Sequence, residues 1–408
     1  MGAASTAPTP GFPLRLQWLL GIACGLLIAN VYYAQPLTGL ITAALGLPRA
    51  SAGLLVTLPL TGYGLGLLAV VPLADLVENR RLVVLMVGLE ALCLLLISVT
   101  GNPSLYLAVA FLVGTTAAAV QVLVPYVTFL APEAERGRAV GRVVSGVMLG
   151  IMLARPVASL VSDLSSWRVI FAISAVLMAV LAIALRLILP QRRPASGLTY
   201  PRLLLSLGHI FAATPILRRR AFYHAYLFGA FSVFWTAVPL WLSGPQFGLT
   251  QRGIALVALA GVAGAIAPPL ASRMADHGHS KLGSGLAMFA VIAAFLLTDL
   301  AHGASPLSLG LIVFAAVLLD FAVSANLVFG QRAIYALGAE KRGRINGLFM
   351  ATFFAGGAIA SALSGWCYAR LGWPGVSVLG IALPVLALVY FATERTGEVP
   401  ASVAVPPG

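Results

Sequence analysis

Two side chains of opposite charge, Asp320 and Arg155, lie inside long apolar stretches of the sequence. Ionisable residues in apolar segments of membrane length are costly to bury, so they usually face the interior of a helix bundle or a water-filled cavity. Burial favours the neutral form of a carboxyl and a nearby cation favours its charged form, so a conformational change can switch its affinity for a proton. We therefore interpret Asp320 as a candidate proton-coupling group.

The positions of these two residues suggest that they can meet. Asp320 lies about 12 residues from Arg332, hence roughly 18 Å deep, and Arg155 lies at about the same depth beyond Arg142. The alternative for Asp320 is a permanent ion pair that joins two parts of the protein, because breaking a buried pair is costly. Arg155 is interpreted either as the partner in such a pair or as an anchor for an anionic substrate.

A polar run interrupts the first apolar segment. It consists of Asn30, Tyr32, Tyr33 and Gln35 and is followed by Pro36. Helical spacing places Tyr32 and Gln35 on one face, with Tyr33 turned about 100° away. The run can line a substrate cavity, or it can make hydrogen bonds between helices, as membrane proteins often do. The same two interpretations apply to Gln121, Trp235, Asn326 and Gln331.

Other ionisable residues of the apolar segments are expected to be peripheral. Glu90, Asp299 and His302 are assigned structural or interfacial roles, because such groups can reach the membrane surface. His224 is assigned to the interface because it lies close to the basic run that ends at Arg220.

The composition excludes a soluble globular enzyme. Of the 408 residues, 60% are hydrophobic and 9% are charged, whereas soluble domains have about 25% charged residues. The net charge of +13 does not indicate nucleic-acid binding, since no stretch interleaves basic residues with exposed aromatic ones. The three cysteines lack metal-ligand or disulfide spacing, and no catalytic motif is present. We expect no enzymatic activity, no cofactor and no metal site.

Apolar runs between breakers predict twelve membrane-spanning helices, each with about 20 apolar residues. The predicted spans one to six are 15–41, 50–73, 82–100, 104–129, 139–162 and 167–189. Spans seven to twelve are 221–242, 250–272, 282–301, 305–332, 345–368 and 375–391.

The basic residues support this count independently. If the connections alternate sides, 20 of the 25 Lys and Arg residues fall on the side of the N-terminus and four on the other, with Arg155 inside a span. One missed helix would destroy this asymmetry. The positive-inside rule then predicts that both termini are cytoplasmic.

The chain also repeats itself at an offset of about 200 residues. The pattern Arg-Gly-Arg-x-x-Gly begins at Arg136 and again at Arg342, and Trp167 and Trp373 differ by the same 206 positions. Parallel six-helix repeats are an established transporter architecture. We predict a cytoplasmic tail (1–14), a six-helix bundle (15–189), a cytoplasmic loop (190–220), a second six-helix bundle (221–391) and a cytoplasmic tail (392–408).

Particular motifs make a resemblance specific. The stretch Leu73-Ala-Asp75-Leu-Val-Glu-Asn-Arg80-Arg81 is similar to the signature loop between spans two and three of the major facilitator superfamily. Asn30-Val-Tyr-Tyr-Ala-Gln-Pro36 and Leu319-Asp320 resemble its bacterial twelve-helix drug:proton antiporters. In span five, Arg155 precedes Pro156 where related antiporters carry Gly. The resemblance implies an all-α polytopic membrane protein with two pseudo-symmetric halves.

The resemblance also implies a function. It points to proton-coupled efflux of a small organic compound by alternating access in the inner membrane of a bacterium. The protein is expected to be a monomer, and its other partners are protons and the lipid bilayer. The implied cytoplasmic gate comprises Asp75, Arg80, Arg81, Asp276, Arg138 and Arg344. Some of these charges can instead serve only to orient the chain. The alternatives are proton-coupled uptake of an organic anion held by Arg155, and a non-transporting sensor or intramembrane enzyme.

Overall fold

The computed structural model describes residues 13–194, 199–338 and 342–394, and within these ranges the regular structure is entirely helical. The first half of the chain forms α1 (Leu14–Tyr32), α2 (Thr38–Ala44), α3 (Leu54–Ala69), α4 (Asn79–Val99), α5 (Pro103–Ala117), α6 (Val120–Leu130), α7 (Glu133–Leu164) and α8 (Trp167–Ile188). The second half follows α9 (Tyr200–Ala213) and forms α10 (Pro215–Ser243), α11 (Gln251–Ala260), α12 (Ala267–Asp276), α13 (Ser280–Asp299), α14 (Pro306–Tyr335) and α15 (Arg342–Ala392).

The number of membrane crossings agrees with the prediction. Within the described ranges, eleven helical segments are long and apolar enough to cross a bilayer. The last of them, α15, has 51 residues and is broken at Gly372, whose φ of 65° suits a residue without a side chain. Counting α15 as two crossings gives the predicted twelve, and the break separates spans eleven and twelve.

Three predicted spans are interrupted, and the break in span four is confined to Ala118 and Ala119 between α5 and α6. Span one was expected to be continuous over 15–41, but α1 ends at Tyr32 and a turn precedes α2. Pro36 lies in this turn, and a proline cannot donate the backbone hydrogen bond that a helix interior requires. Span eight likewise contains a 3₁₀ stretch, Gly261–Ile266, between α11 and α12. The interruptions of spans one and eight lie beside the buried charges described below.

Glycines bring α1 and α7 into backbone contact. A Cβ atom added at Gly146 would lie 2.2 Å from the carbonyl oxygen of Gly21, and one at Gly150 would lie 2.1 Å from that of Gly25. No larger residue fits such a crossing without separating the helices. Small residues allow this close approach in membrane bundles, where lipid is as apolar as the helix surface.

The halves meet along two pairs of helices. In one pair, Thr57 of α3 donates its hydroxyl to the carbonyl of Ala358 in α15 at 3.1 Å. In the other, Arg252 of α11 forms an ion pair with Asp163 of α7 at 3.5 Å. We call the end of the bundle where α1 and α7 begin the basic face, and the end where α7 finishes the opposite face. The Arg252–Asp163 pair lies at the opposite face.

At the basic face, α9 contacts both halves. The hydroxyl of Tyr200 donates to the carbonyl of Ala69 at 2.8 Å, and Arg344 donates to the hydroxyl of Ser206 at 3.3 Å. A cavity of about 260 Å³ lies beside α9. Its lining includes Asp75, Asn79, Gln121, Arg192, Arg344 and Asn346.

Candidate functional site

Arg155 and Asp320 form an ion pair between the two halves of the molecule. Nη1 of Arg155 lies 3.9 Å from Oδ2 of Asp320, and their side chains are only 3% and 8% exposed. Arg155 belongs to α7 in the first half and Asp320 to α14 in the second. The structure therefore brings together the two residues that the sequence singled out for their charge.

The carboxyl of Asp320 is held on two sides. The indole Nε1 of Trp235 donates to Oδ1 at 2.8 Å. The 3₁₀ stretch of span eight packs directly against the other side, where a Cβ at Gly261 would lie 2.6 Å from Oδ2 and one at Gly264 would lie 2.9 Å from the Cβ of Asp320. The two glycines therefore leave the space that the carboxyl occupies.

The guanidinium of Arg155 is held by one hydrogen bond and three aromatic rings. Its Nε donates to Oε1 of Gln35 at 2.8 Å. Its central carbon lies 4.4 Å from the ring centre of Trp235, 4.8 Å from that of Phe231 and 5.6 Å from that of Tyr32. Rings at these distances attract a cation through their quadrupole, and the attraction is larger where water is excluded.

Some hydrogen-bond donors of the site have no acceptor in this conformation. Nη2 of Arg155 and Nε2 of Gln35 are buried and have no hydrogen-bond partner. A buried pair repays the cost of its dehydration only when its geometry is good and its remaining donors are bonded. Because the Nη1–Oδ2 separation is long and Nη2 is unpaired, the site can rearrange without losing an optimal contact.

The polar run of span one divides between two places. Tyr32 and Gln35 both reach Arg155, Tyr32 from the end of α1 and Gln35 from the turn that follows it. Asn30 points elsewhere and bonds Glu90 and Ser174. Tyr33 makes an edge contact with the ring of Phe171 at 6.3 Å.

The remaining polar candidates lie apart from the ion pair. Gln121 donates to the hydroxyl of Tyr63 at 3.3 Å and lines the cavity at the basic face. Gln331 reaches Asn346 at 3.5 Å. Asn326 bonds Nδ1 of His224 at 3.2 Å. Trp235, in contrast, contacts both members of the charged pair.

Within the described residues, no ion pair joins a predicted gate residue of one half to a charged residue of the other half. Arg80 donates to the carbonyl of Leu189, and Arg81 lies 3.8 Å from Glu78, all within the first half. Asp75 is exposed and lines the cavity beside Arg344, whose own bond is to α9.

The other two gate candidates lie at the basic face. Asp276 forms an ion pair with Arg332 within the second half. Arg138 is exposed on α7.

Two residues that were expected to be peripheral are buried in the bundle. Glu90 is 0% exposed and His224 is 1% exposed. His224 stacks on Phe349 with ring centres 5.7 Å apart and meets Phe353 edge-on at 4.7 Å. The sequence offered a signal for Glu90, because it lies about two turns into an apolar span, too deep for a short side chain to reach the surface.

An aromatic cluster in the second half was not predicted as part of the site. It joins the guanidinium of Arg155 to α15 through Phe231, Phe228 and Phe354. Tyr63 of the first half reaches the same cluster, with its ring centre 4.4 Å from that of Phe354. Single aromatic residues in an apolar sequence carry no signal that distinguishes this cluster from ordinary packing.

No group of three or more His, Cys, Asp and Glu side chains is positioned to hold a metal ion in the parts of the chain that the structure describes. The arrangement instead offers one buried acid, one buried base and aromatic surfaces at the boundary between two six-helix units.

Comparison with known proteins identifies the relatives of this chain. The model of the Major Facilitator Superfamily matches residues 18–313. The transporter YgaY of Escherichia coli (strain K12) is 35% identical over 386 residues, which cover 95% of this chain and 97% of YgaY. SCO4007 of Streptomyces coelicolor, also named as a transporter, is 32% identical over 90% of this chain and 85% of its own length. Among solved structures, a POT family transporter in complex with 5-aminolevulinic acid has a similar fold, with a TM-score of 0.75 at 14% identity, covering 94% of this chain and 99% of that one.

Proposed function

Because the chain belongs to the Major Facilitator Superfamily, it is a multi-pass membrane transporter and not an enzyme, and we propose that it exports a small organic compound in exchange for protons. In this proposal the Arg155–Asp320 pair is the coupling site, and the two halves rock about it to expose it to each side in turn. The motif resemblance to bacterial drug:proton antiporters supports the direction of transport.

The observation that carries the proposal is that a buried acid and a buried base join the two halves. A charged Asp320 attracts Arg155 and keeps α14 close to α7. A proton on Asp320 removes this attraction and leaves Arg155 free to find other partners. Protonation can therefore change how strongly the halves hold together at this level, as a proton-driven conformational cycle requires.

The orientation follows from the basic residues. We place the basic face, the α9 helix and both termini in the cytoplasm of a bacterial inner membrane, in accordance with the positive-inside rule. The cavity beside α9 then opens toward the cytoplasm, and Asn79, Gln121 and Asn346 in its lining are candidates for the first contact with the exported compound. Asp75 and Arg344 lie at the same cavity and are proposed to take part in its closure.

Inverted membrane vesicles test the proposal. The vesicles are acidified inside, and a panel of small organic compounds is added outside while a ΔpH-sensitive dye reports proton movement. We expect at least one compound to release protons from vesicles that contain the wild-type protein. Asp320→Asn removes the response, whereas Asp299→Asn, an exposed carboxyl at the end of α13, retains it. Transport of the compound without proton movement, or a full response from Asp320→Asn, would overturn the proposal.

Uptake of an organic anion with protons is the second candidate. It is supported by Nη2 of Arg155, a buried guanidinium donor without a partner, because carboxylates bind guanidinium groups in a bidentate manner. The same vesicles separate the two candidates. Exchange releases protons when the compound is added outside, whereas cotransport releases them only when the compound is loaded inside.

A further inference from the structure

A second buried carboxyl lies in the first half, away from the Arg155–Asp320 pair. Glu90 in the middle of α4 is 0% exposed, and its Oε1 accepts a hydrogen bond from Nδ2 of Asn30 at 2.7 Å. Oδ1 of Asn30 in turn accepts from the hydroxyl of Ser174 at 2.6 Å. Helices α1, α4 and α8 are thus joined through one acid that the proposed coupling mechanism does not use.

The groups that face Glu90 include no cation among the described residues. The titratable side chains that interact with it are Tyr33, Tyr63 and Cys93, which are all neutral when unperturbed. Asn30 and Thr116 are its polar neighbours. An isolated ionised carboxylate is so costly in an apolar interior that the group takes up a proton instead.

The hydrogen-bond directions at the second oxygen lead to the same conclusion. Oε2 of Glu90 has no bonded donor. Thr116 faces the carboxyl, but its hydroxyl donates to the carbonyls of Leu112 and Val113 at 2.9 and 3.0 Å. The hydroxyl oxygen of Thr116 therefore has only lone pairs to offer. An ionised Oε2 would therefore be buried without a donor, and a proton on the carboxyl removes this cost.

Helix α1 connects this acid with the coupling site. Asn30, which holds Glu90, is two residues before Tyr32, whose ring lies beside the guanidinium of Arg155. Gln35, which bonds Arg155, follows in the turn. A movement of Arg155 that shifts this end of α1 also shifts the amide that bonds Glu90.

We propose that Glu90 is a second proton-binding site, which holds a proton in the conformation described here and is linked to the Arg155–Asp320 pair through α1. This inference rests on the proposed function only for its role in transport. The presence of the proton is a property of the protein itself, and it can be measured without a substrate.

Infrared spectroscopy of the purified protein in lipid nanodiscs at neutral pH tests the proposal. The spectrum of wild type minus Glu90→Gln is expected to contain the carbonyl band of a protonated carboxyl. Wild type minus Asp299→Asn is the matched control, because Asp299 is exposed and accepts from Ser377, so no such band is expected. Absence of the band in the first difference overturns the proposal, even if proton-driven transport is observed.

Two further variants keep the test decisive if Glu90→Gln folds poorly. Asn30→Ala removes the donor to Oε1, so the carbonyl band of Glu90 should shift to higher frequency. If the band does not shift, it arises from another carboxyl group. Asp320→Asn should change the frequency or intensity of the band through α1, and an identical band overturns the linkage. Replacing choline chloride by sodium chloride should leave the band in place, because its loss would identify a metal-ion site instead of a proton site.

Discussion

At the scale of single residues, the proposed function depends on a few polar groups whose burial in a bilayer is energetically costly. Arg155 and Asp320 are identifiable from sequence because charges are rare in apolar segments of this length. Their environment is not identifiable in the same way. Gln35 contacts the pair from the turn after α1, and Trp235 and Phe231 contact it from α10. Only the folded chain brings these two segments to the pair.

The ion pair is expected to cost stability when only one partner is removed. Arg155→Met leaves the Asp320 carboxylate buried and unpaired, so we expect a loss of about 3–5 kcal/mol in the free energy of unfolding. Adding Asp320→Leu should restore most of it, because a well-packed apolar replacement of a buried pair is often neutral. Thermal unfolding in detergent measures both effects, and the double variant should remain unable to couple transport to protons.

The matched control is an exposed ion pair that also joins α7 to the second half, but through α11 instead of α14. Arg252 is 66% exposed and pairs with Asp163, so Arg252→Met should cost only about 0–1 kcal/mol. Equal losses for Arg155→Met and Arg252→Met would show that the deep pair has no special energetic role. A double variant no more stable than Arg155→Met would show that the cost does not come from the unpaired carboxylate.

At the scale of helices, the sequence predicted the positions of the spans and failed at their interruptions. Hydropathy averages over about 20 residues, so it locates a crossing but does not resolve a turn of five residues within it. Pro36 and the pair Pro268-Pro269 were visible as breakers. Whether a proline bends a membrane helix or ends it depends on which neighbours accept the freed carbonyls, and these neighbours come from other helices.

The glycine crossing of α1 and α7 gives a prediction at this scale. Gly146→Ala places a methyl group against the backbone of Gly21, so the helices must separate, at a cost of about 1–3 kcal/mol. Gly141→Ala in the same helix is the control, because nothing lies within 4 Å of its Cβ position. This variant should be neutral or more stable, since alanine favours helix by about 1 kcal/mol over glycine. Thermal unfolding of the two variants compares them directly, and equal stability would contradict the contact.

At the scale of the whole molecule, the sequence predicted twelve crossings, and the six-plus-six repeat indicated two related halves. The internal repeat and the basic residues were sufficient for this, because both are properties of the whole chain and tolerate errors at single positions. Apart from the Arg155–Asp320 pair, the contacts between the halves were not predictable. The hydrogen bonds of Thr57 and Ser361 across the boundary involve backbone carbonyls that carry no sequence signal.

Alternating access requires the opposite face to open during transport, and a covalent bridge there should prevent it. In a variant that lacks the native cysteines, Asp163→Cys and Arg252→Cys are combined so that a disulfide can join α7 of one half to α11 of the other. We expect oxidation to abolish transport and a reductant to restore it. Asp299→Cys with Ser377→Cys, both within the second half, should transport equally well in either state. Full transport by the oxidised Asp163→Cys, Arg252→Cys protein would contradict rocking of the halves about this face.

We propose that Asp320 couples the movement of the two halves to the binding of a proton. A comparison of substrate exchange with net transport tests this role. Proteoliposomes containing Asp320→Asn are loaded with a compound that the wild type transports. Exchange of labelled for unlabelled compound requires no net proton movement, whereas accumulation driven by a pH gradient does. We expect Asp320→Asn to retain exchange and to lose accumulation, and we expect Asp299→Asn to retain both. Accumulation by Asp320→Asn at the wild-type level would contradict it.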